Sequence, residues 1–260
     1  MDDVRETLEW TTELVAEAAR RALHLVGGGP SVDLKADGSL VTNVDRTIEQ
    51  FLREQIGARY PGHMILGEEY GWEERRDDVP LWALDPIDGT TNLAHGIPLW
   101  GVSVGLVVDD VPFVGVVAFP ALGETYAAGR GLGATVNGAP LPALPAGGPT
   151  HWEDAYGVCS TSVREVDFSR VPARLRALGS AALDVCWAAA GRLAGCQSIK
   201  TALYDVAAGI CIANETGAVT RWLSGVPWSP LDMARSGPRP EVLLTAPAAT
   251  LAFLRENLVR

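Results

Sequence analysis

The stretch WALDPIDGTTNLAHG, residues 82–96, runs an apolar segment into two aspartates, Asp85 and Asp88, and then at once into Gly89, Thr90 and Thr91. Two carboxylates this close repel each other, and each loses hydration on burial, so a fold that accepts them must offset both costs. Pro86 stiffens the backbone between them and carries no N–H. Both side chains, with the Ile87 carbonyl, are thereby able to face one point. Gly89 permits close approach of the backbone to a ligand, and the amides after it are placed to open a helix, where anions bind well. One reading makes this stretch a holder of cations on its carboxylates and of a phosphate on its amides. Asp-Pro-x-Asp-Gly is also ordinary turn chemistry, and the stretch alone does not separate the two readings.

The surrounding chain frames that segment. Residues 3–26 place apolar side chains at helical period (Val4, Leu8, Leu14, Val15, Ala18, Ala22, Leu25), and GGGP at 27–30 stops them. After a turn, Ile48, Phe51, Leu52 and Ile56 share one face of a second helix, which RYPGH breaks. MILGEEYG and PLWAL read as short strands, each running into carboxylates. WGVSVGLVV and FVGVVAF flank DDVP as a hairpin, and ETYAAG and GATVNG continue an antiparallel sheet. APLPALPAGGPT, residues 139–150, is rich in Pro, Gly and Ala. It marks a junction between an N-terminal α+β subdomain (1–145) and a C-terminal α/β subdomain (146–260). In the second, AYGVCS, AVTRWL and EVLLTA read as strands. SAALDVCWAAAG, PAATLAFLRENL and LYDVAAGICIANETG, the last stopped by Gly217, read as helices. Such alternation packs as layers of helix and sheet, and 260 residues suffice for a sizeable core. The cysteines at 159, 186, 196 and 211 fit no zinc or redox spacing and read as buried free thiols.

Charge narrows the function. The formal net charge is −11, from 21 basic and 32 acidic residues, which disfavours a nucleic-acid partner. An anionic ligand then needs a local reversal of sign, which bound cations provide. MDDVRETLEW has neither the basic start nor the apolar centre of a secretory signal, and no apolar run approaches a membrane span. A cytoplasmic protein with no membrane partner is expected. Glu68, Glu69, Asp85, Asp88 and Asp205 are the candidate ligands for a hard cation such as Mg2+, which takes oxygen donors in near-octahedral geometry. Each has a plainer reading by itself: GEE as a solvated loop, Asp205 as a helix-surface charge or cap.

The segments KADGSLVTNVD (35–45), GEEYG (67–71), WALDPIDGTTN (82–92), GSAALD (179–184) and YDVAAG (204–209) stand in this order across most of the chain. In them the chain resembles the inositol monophosphatase family of magnesium-dependent, lithium-sensitive phosphatases. The resemblance implies an α/β (α+β) fold, the layered α/β/α/β/α sandwich of the inositol monophosphatase and fructose-1,6-bisphosphatase type, and a homodimer. It implies that Glu68, Asp85 and the Ile87 carbonyl hold one Mg2+, and that Asp85, Asp88 and Asp205 hold a second. A third, weaker ion sits near Glu68, and Mn2+ can substitute. Catalytic roles fall to Glu68 and Thr90, which position the attacking water, and to Asp45, which pairs with Thr90. The phosphate falls to the amides of Gly89, Thr90 and Thr91. By the same resemblance Asp88, Arg176, Gly179, Ser180, Ala181 and Asp205 line the substrate side. One ion eases loss of a proton from water and the other stabilises the leaving alkoxide. Cations and amides together meet the charge spread over the phosphoryl oxygens.

The alcohol side departs from the family pattern. The acidic residue common seven positions before the last metal aspartate is Ser198 here. Tyr204 stands where Trp is common, and Ala194 replaces an acid in GRLAG. The expected activity is Mg2+-dependent hydrolysis of a small phosphate monoester, with inositol monophosphate first. Histidinol phosphate, sugar phosphates such as fructose 1,6-bisphosphate, and 3′-phosphoadenosine 5′-phosphate are alternatives. A metal-binding regulatory protein and a two-metal nuclease are further ones, the nuclease disfavoured by the acidic surface. EERRDD at 73–78 reads as an exposed loop between two ligand segments.

Overall fold

The computed structural model describes residues 3–35, 38–72 and 79–259, so EERRDD lies outside the described residues. In chain order come helix α1 (Val4–Gly27), strands β1 (Val32–Leu34) and β2 (Leu40–Thr42), α2 (Asn43–Arg59), β3 (Met64–Gly67), β4 (Gly71–Trp72), β5 (Leu81–Asp88) and α3 (Thr90–Ala94). Then follow β6 (Gly101–Val108), β7 (Val111–Phe119), β8 (Glu124–Gly129), β9 (Gly133–Val136) and β10 (Ala139–Pro140). The remainder holds β11 (Ala155–Val158), α4 (Ser160–Glu165), β12 (Arg174–Arg176), α5 (Ala181–Ala189), β13 (Cys196–Ile199), α6 (Leu203–Glu215), β14 (Ala218–Trp222), α7 (Pro230–Ser236), β15 (Val242–Pro247) and α8 (Ala248–Asn257).

Strand order in the larger sheet is β10-β9-β8-β7-β6-β5-β3-β4, and in the smaller β12-β11-β13-β15-β14. The larger is antiparallel apart from β3 beside β5. Strand alternation sorts its side chains to two faces. Trp82 and Leu84 of β5, with Val102 and Val104 of β6, pack against Leu14 and Val15 of α1 and Ile48 and Leu52 of α2. Leu81 and Ala83 point the other way, into a core shared with Leu183 of α5, Ile210 of α6 and Leu243 of the smaller sheet. The far face of the smaller sheet carries Tyr156, Val158 and Leu244 against Leu251 and Leu254 of α8. Helix, sheet, helix, sheet, helix is the resulting sequence of layers.

Two glycines set how closely α6 lies on the larger sheet. A Cβ on Gly105 of β6 would stand 2.8 Å from the Ala208 nitrogen, and one on Gly115 of β7 would stand 2.7 Å from Cys211 Cβ and overlap the Ala208 carbonyl. The helix therefore rests on bare strand backbone, which its own small residues in DVAAG also allow. This seats the start of α6, with Asp205, over the end of β5.

Some elements differ from expectation. β5 is eight residues long and includes both aspartates, with its register to β6 shifting between Asp85 and Asp88. Pro86, which has no N–H to give the ladder, falls at that shift. The DDVP hairpin turns on Asp109 and Asp110, both at positive φ (51° and 62°), the pairing of angles that matches strand twist. The short helices α4 and α7 and the strands β1, β4, β12 and β13 are elements the sequence pattern does not predict. All four cysteines are free, three are buried, and Cys159 is half-buried. No helix among the described residues is long and apolar enough to cross a membrane.

Candidate active site

β5 brings Asp85 and Asp88 to one end of the larger sheet, 2% and 6% exposed. Asp85 Oδ1 accepts the Ile87 N–H at 3.1 Å, which turns the strand after Pro86. Asp88 reaches across to α5. It accepts the Ser180 hydroxyl, the Ala182 N–H at 2.9 Å and the Ala181 N–H at 3.1 Å. A carboxylate at a helix N-terminus is favoured by the unpaired amides there. Ser180 is itself the N-cap, accepting the Leu183 N–H at 3.2 Å.

Gly89 adopts φ +91° and opens α3. A side chain there would meet the Leu99 carbonyl at 2.8 Å in a conformation that favours glycine, and among the described residues no N-cap side chain hydrogen-bonds to the first amides of α3. The Thr90 hydroxyl lies 2.8 Å from Asp45 Oδ1 and 2.9 Å from the Ile87 carbonyl. It has one proton, and the carboxylate is the stronger acceptor. Asp45 is buried and held by the Thr42 N–H at 2.9 Å and the Thr42 hydroxyl, as the capping box that begins α2. Thr91 is exposed. Asn92 donates to the Leu99 carbonyl at 2.6 Å and the Leu178 carbonyl at 2.8 Å. It thereby fixes the turn at Gly179 (φ +77°) that leads to Ser180 and Ala181.

Asp205 is half-buried in the first turn of α6, where it accepts the Ala202 N–H at 2.7 Å and the Thr201 hydroxyl at 2.8 Å. It therefore caps a helix as well as joining the acidic group. Glu68 follows β3, its own N–H donating to the Leu84 carbonyl at 3.1 Å. Lys35 donates to Glu68 Oε1 at 3.0 Å and to Glu69 Oε1 at 2.5 Å.

These acids share one field. Burial, then the charge on Asp205, pushes Glu68 up to about 7, while Lys35 pulls it back. Burial lifts Asp85 well above the carboxylate range, with Glu68, Asp88 and Asp205 adding to it. Asp88 and Asp205 rise to about 6 by burial, restrained by their hydrogen bonds at the starts of α5 and α6. Glu69 is raised by burial too. Among the described residues no three of the acidic, histidine or cysteine side chains close on a single metal-sized point. Each carboxylate is turned partly to a local donor. The donors are all hard oxygens, and repulsion among Glu68, Asp85, Asp88 and Asp205 adds to burial in raising them, so the chemistry of the set fits a dication such as Mg2+.

The remaining expected residues lie on the α5 side. Arg176 is exposed on β12, its guanidinium turned back to the Leu175 carbonyl at 3.0 Å and the Arg174 carbonyl at 3.4 Å. Ser198 is half-buried on β13 and, with Ala181, Asp184 and Val206, lines a cavity of about 10 Å3, roughly the room one water needs. Tyr204 is half-buried, its phenol raised by burial and by the charges on Asp205 and Glu68. Lys35, Glu49 and Asn92 take no role from the sequence alone. Lys35 sits in the KADGS segment, and Glu49 lies one helical turn from Asp45. Those positions are the only signals the sequence offers for them.

The model of the inositol monophosphatase family matches residues 3–251. The inositol-1-monophosphatase of Synechocystis sp. is 36% identical over 241 residues, covering 89% of this chain and 83% of its own. The fructose-1,6-bisphosphatase/inositol-1-monophosphatase of Aquifex aeolicus is 34% identical, covering 73% and 74%. The structure of an inositol monophosphatase from Anabaena (Nostoc) sp. superposes with a TM-score of 0.80 at 26% identity, covering 98% of this chain and 96% of that one.

Proposed function

The chain belongs to the inositol monophosphatase family, a family of metal-dependent phosphoric monoester hydrolases, and on that premise we propose that it hydrolyses a small phosphate monoester with Mg2+, inositol monophosphate first. The observation that carries the reading is the end of β5. Two buried aspartates there adjoin a helix start that has no side-chain cap and a threonine paired with a buried aspartate. Glu68, Asp85, the Ile87 carbonyl, Asp88 and Asp205 would hold two ions, with a third near Glu68 and with Mn2+ able to replace Mg2+. A bound dication supplies Lewis acidity toward water and phosphoryl oxygens.

The chain's own groups do the rest. Asp45 takes the Thr90 hydroxyl proton as a hydrogen bond, which frees the Thr90 oxygen to accept from a water. Thr90 and Glu68 hold that water in line with phosphorus. The amides of Gly89, Thr90 and Thr91 receive the non-bridging oxygens, where charge grows in the transition state. Gly179, Ser180, Ala181 and Arg176 border the leaving alcohol. At Ser198 an inositol hydroxyl loses a carboxylate acceptor, a change of about 1–3 kcal/mol where the hydroxyl stays unpaired. Sugar phosphates are the next candidates, and the Aquifex relative carries fructose-1,6-bisphosphatase in its name. A cytoplasmic homodimer is part of the same proposal.

The test is phosphate release from a panel of esters. Release is expected with Mg2+, absent with EDTA and reduced by lithium. No release from any ester would favour a regulatory metal-binding protein, and release from polynucleotide alone would favour a nuclease.

A further inference from the structure

Asp45, Glu49 and Arg53 follow at four-residue steps along α2 and so share one face of it. Asp45 holds Thr90. Glu49, one turn on, is fully buried, and its carboxylate lies beneath the turn that follows β3. Oε2 accepts the Glu69 N–H at 2.7 Å and Oε1 the Tyr70 N–H at 3.2 Å. Arg53 Nε donates to Oε1 at 2.7 Å, and the same guanidinium donates to the Gly71 carbonyl. On the other side of Glu68, a Cβ on Gly67 would overlap the Glu49 carboxylate. The carboxylate thus lies against bare backbone on one side of Glu68 and holds two amides on the other.

An ion pair this deep loses hydration on folding, and an apolar pair of similar volume packs at lower cost. Its yield is a fixed turn. We infer that Glu49 is a positioning residue: it sets the place of Glu68 through the backbone of residues 67–70, as Asp45 sets Thr90. One face of α2 thereby registers both groups that flank the attacking water. The inference rests on the reading of Glu68 as a metal ligand.

Glu49→Gln keeps the volume but cannot accept all three donors. Gly67→Ala keeps every charge and displaces only the carboxylate. Mn2+ binding by the substrate-free protein is read by calorimetry, beside melting temperature and the Mg2+ dependence of phosphate release. Loss of such a supporting partner weakens metal binding by roughly 10–100-fold. That loss is expected in both variants, with the half-saturating Mg2+ raised alike and kcat at saturating Mg2+ largely recovered. A purely structural role would lower the melting temperature and leave Mn2+ affinity at the wild-type value, and that result overturns the inference. Should Glu49→Gln fail to fold, Gly67→Ala gives the same reading. If the wild-type chain itself binds no Mn2+, the ligand assignment of Glu68 falls first and the inference with it.

Discussion

The carboxylates of the site each serve twice. Asp88 closes the start of α5 while facing the other acids, and Asp205 does the same for α6. Asp88→Asn is therefore expected to lower kcat by about 100-fold or more with the far-UV circular dichroism unchanged in shape. Near-normal turnover would remove Asp88 from the metal shell. Ser198→Glu restores an acceptor on the alcohol side, and kcat/KM for inositol monophosphate relative to other esters is expected to rise about tenfold. An unchanged ranking of substrates would show that Ser198 does not set the pocket. What the sequence made legible here is what is local. Asp85 through Thr90 are consecutive, whereas Asp45 is reached only through the family resemblance, and its capping box with Thr42 is seen in the fold. The Lys35 pairing depends on a hairpin meeting a strand end more than thirty residues away. A buried Glu49 looks, in sequence, like any charge on a helix surface.

Among elements, the apolar run of β5 stops at Leu84 and predicts a short strand, yet the strand continues through Pro86 to Asp88. Neighbours on both edges hold it: β3 as far as Leu84, and β6 again at Asp88. Helices α4 and α7, of six and seven residues, and the three-residue β12 are too short to show a period. The segment after β1 is tied to the end of β3 by the single ammonium of Lys35, which stands between Glu68 and Glu69. Lys35→Met removes the only cation bonded to these two among the described residues. The metal-free variant is expected to melt lower than wild type, and saturating Mg2+ to narrow the gap, since the ions then carry the positive charge. A gap that widens with Mg2+ would place the ions elsewhere.

For the molecule as a whole, the alternation of helical and strand segments is enough to announce layers of helix and sheet, while their order comes with the family resemblance; β5 and β6 are buried on both faces and show no one-sided repeat. The electrostatics of the assembled site were not readable in that way. Glu68 at about 7 and Asp88 and Asp205 at about 6 lie above the ordinary carboxylate range, which is near 4. Across roughly pH 4–7 the metal-free folded state then holds more protons than the unfolded one, so these groups make stability fall as pH rises. In chelator the melting temperature is expected to be higher at about pH 5.5 than at about pH 7.5, and Mg2+ to stabilise more at the higher pH. A chelated protein that gains stability over that range would contradict the clustering of these acids. The glycines beneath α6 carry a last consequence. Where the helix meets naked strand at Gly105 and Gly115, those two positions offer no strand side chain to lengthen or shorten, so the gap between Asp205 and the β5 aspartates is held there by backbone. On the proposed reading of Ser198 and β12 as the alcohol side, a lineage changes which alcohol it accepts by redrawing that rim, while the tolerance of the inner fitting stays machined into the backbone.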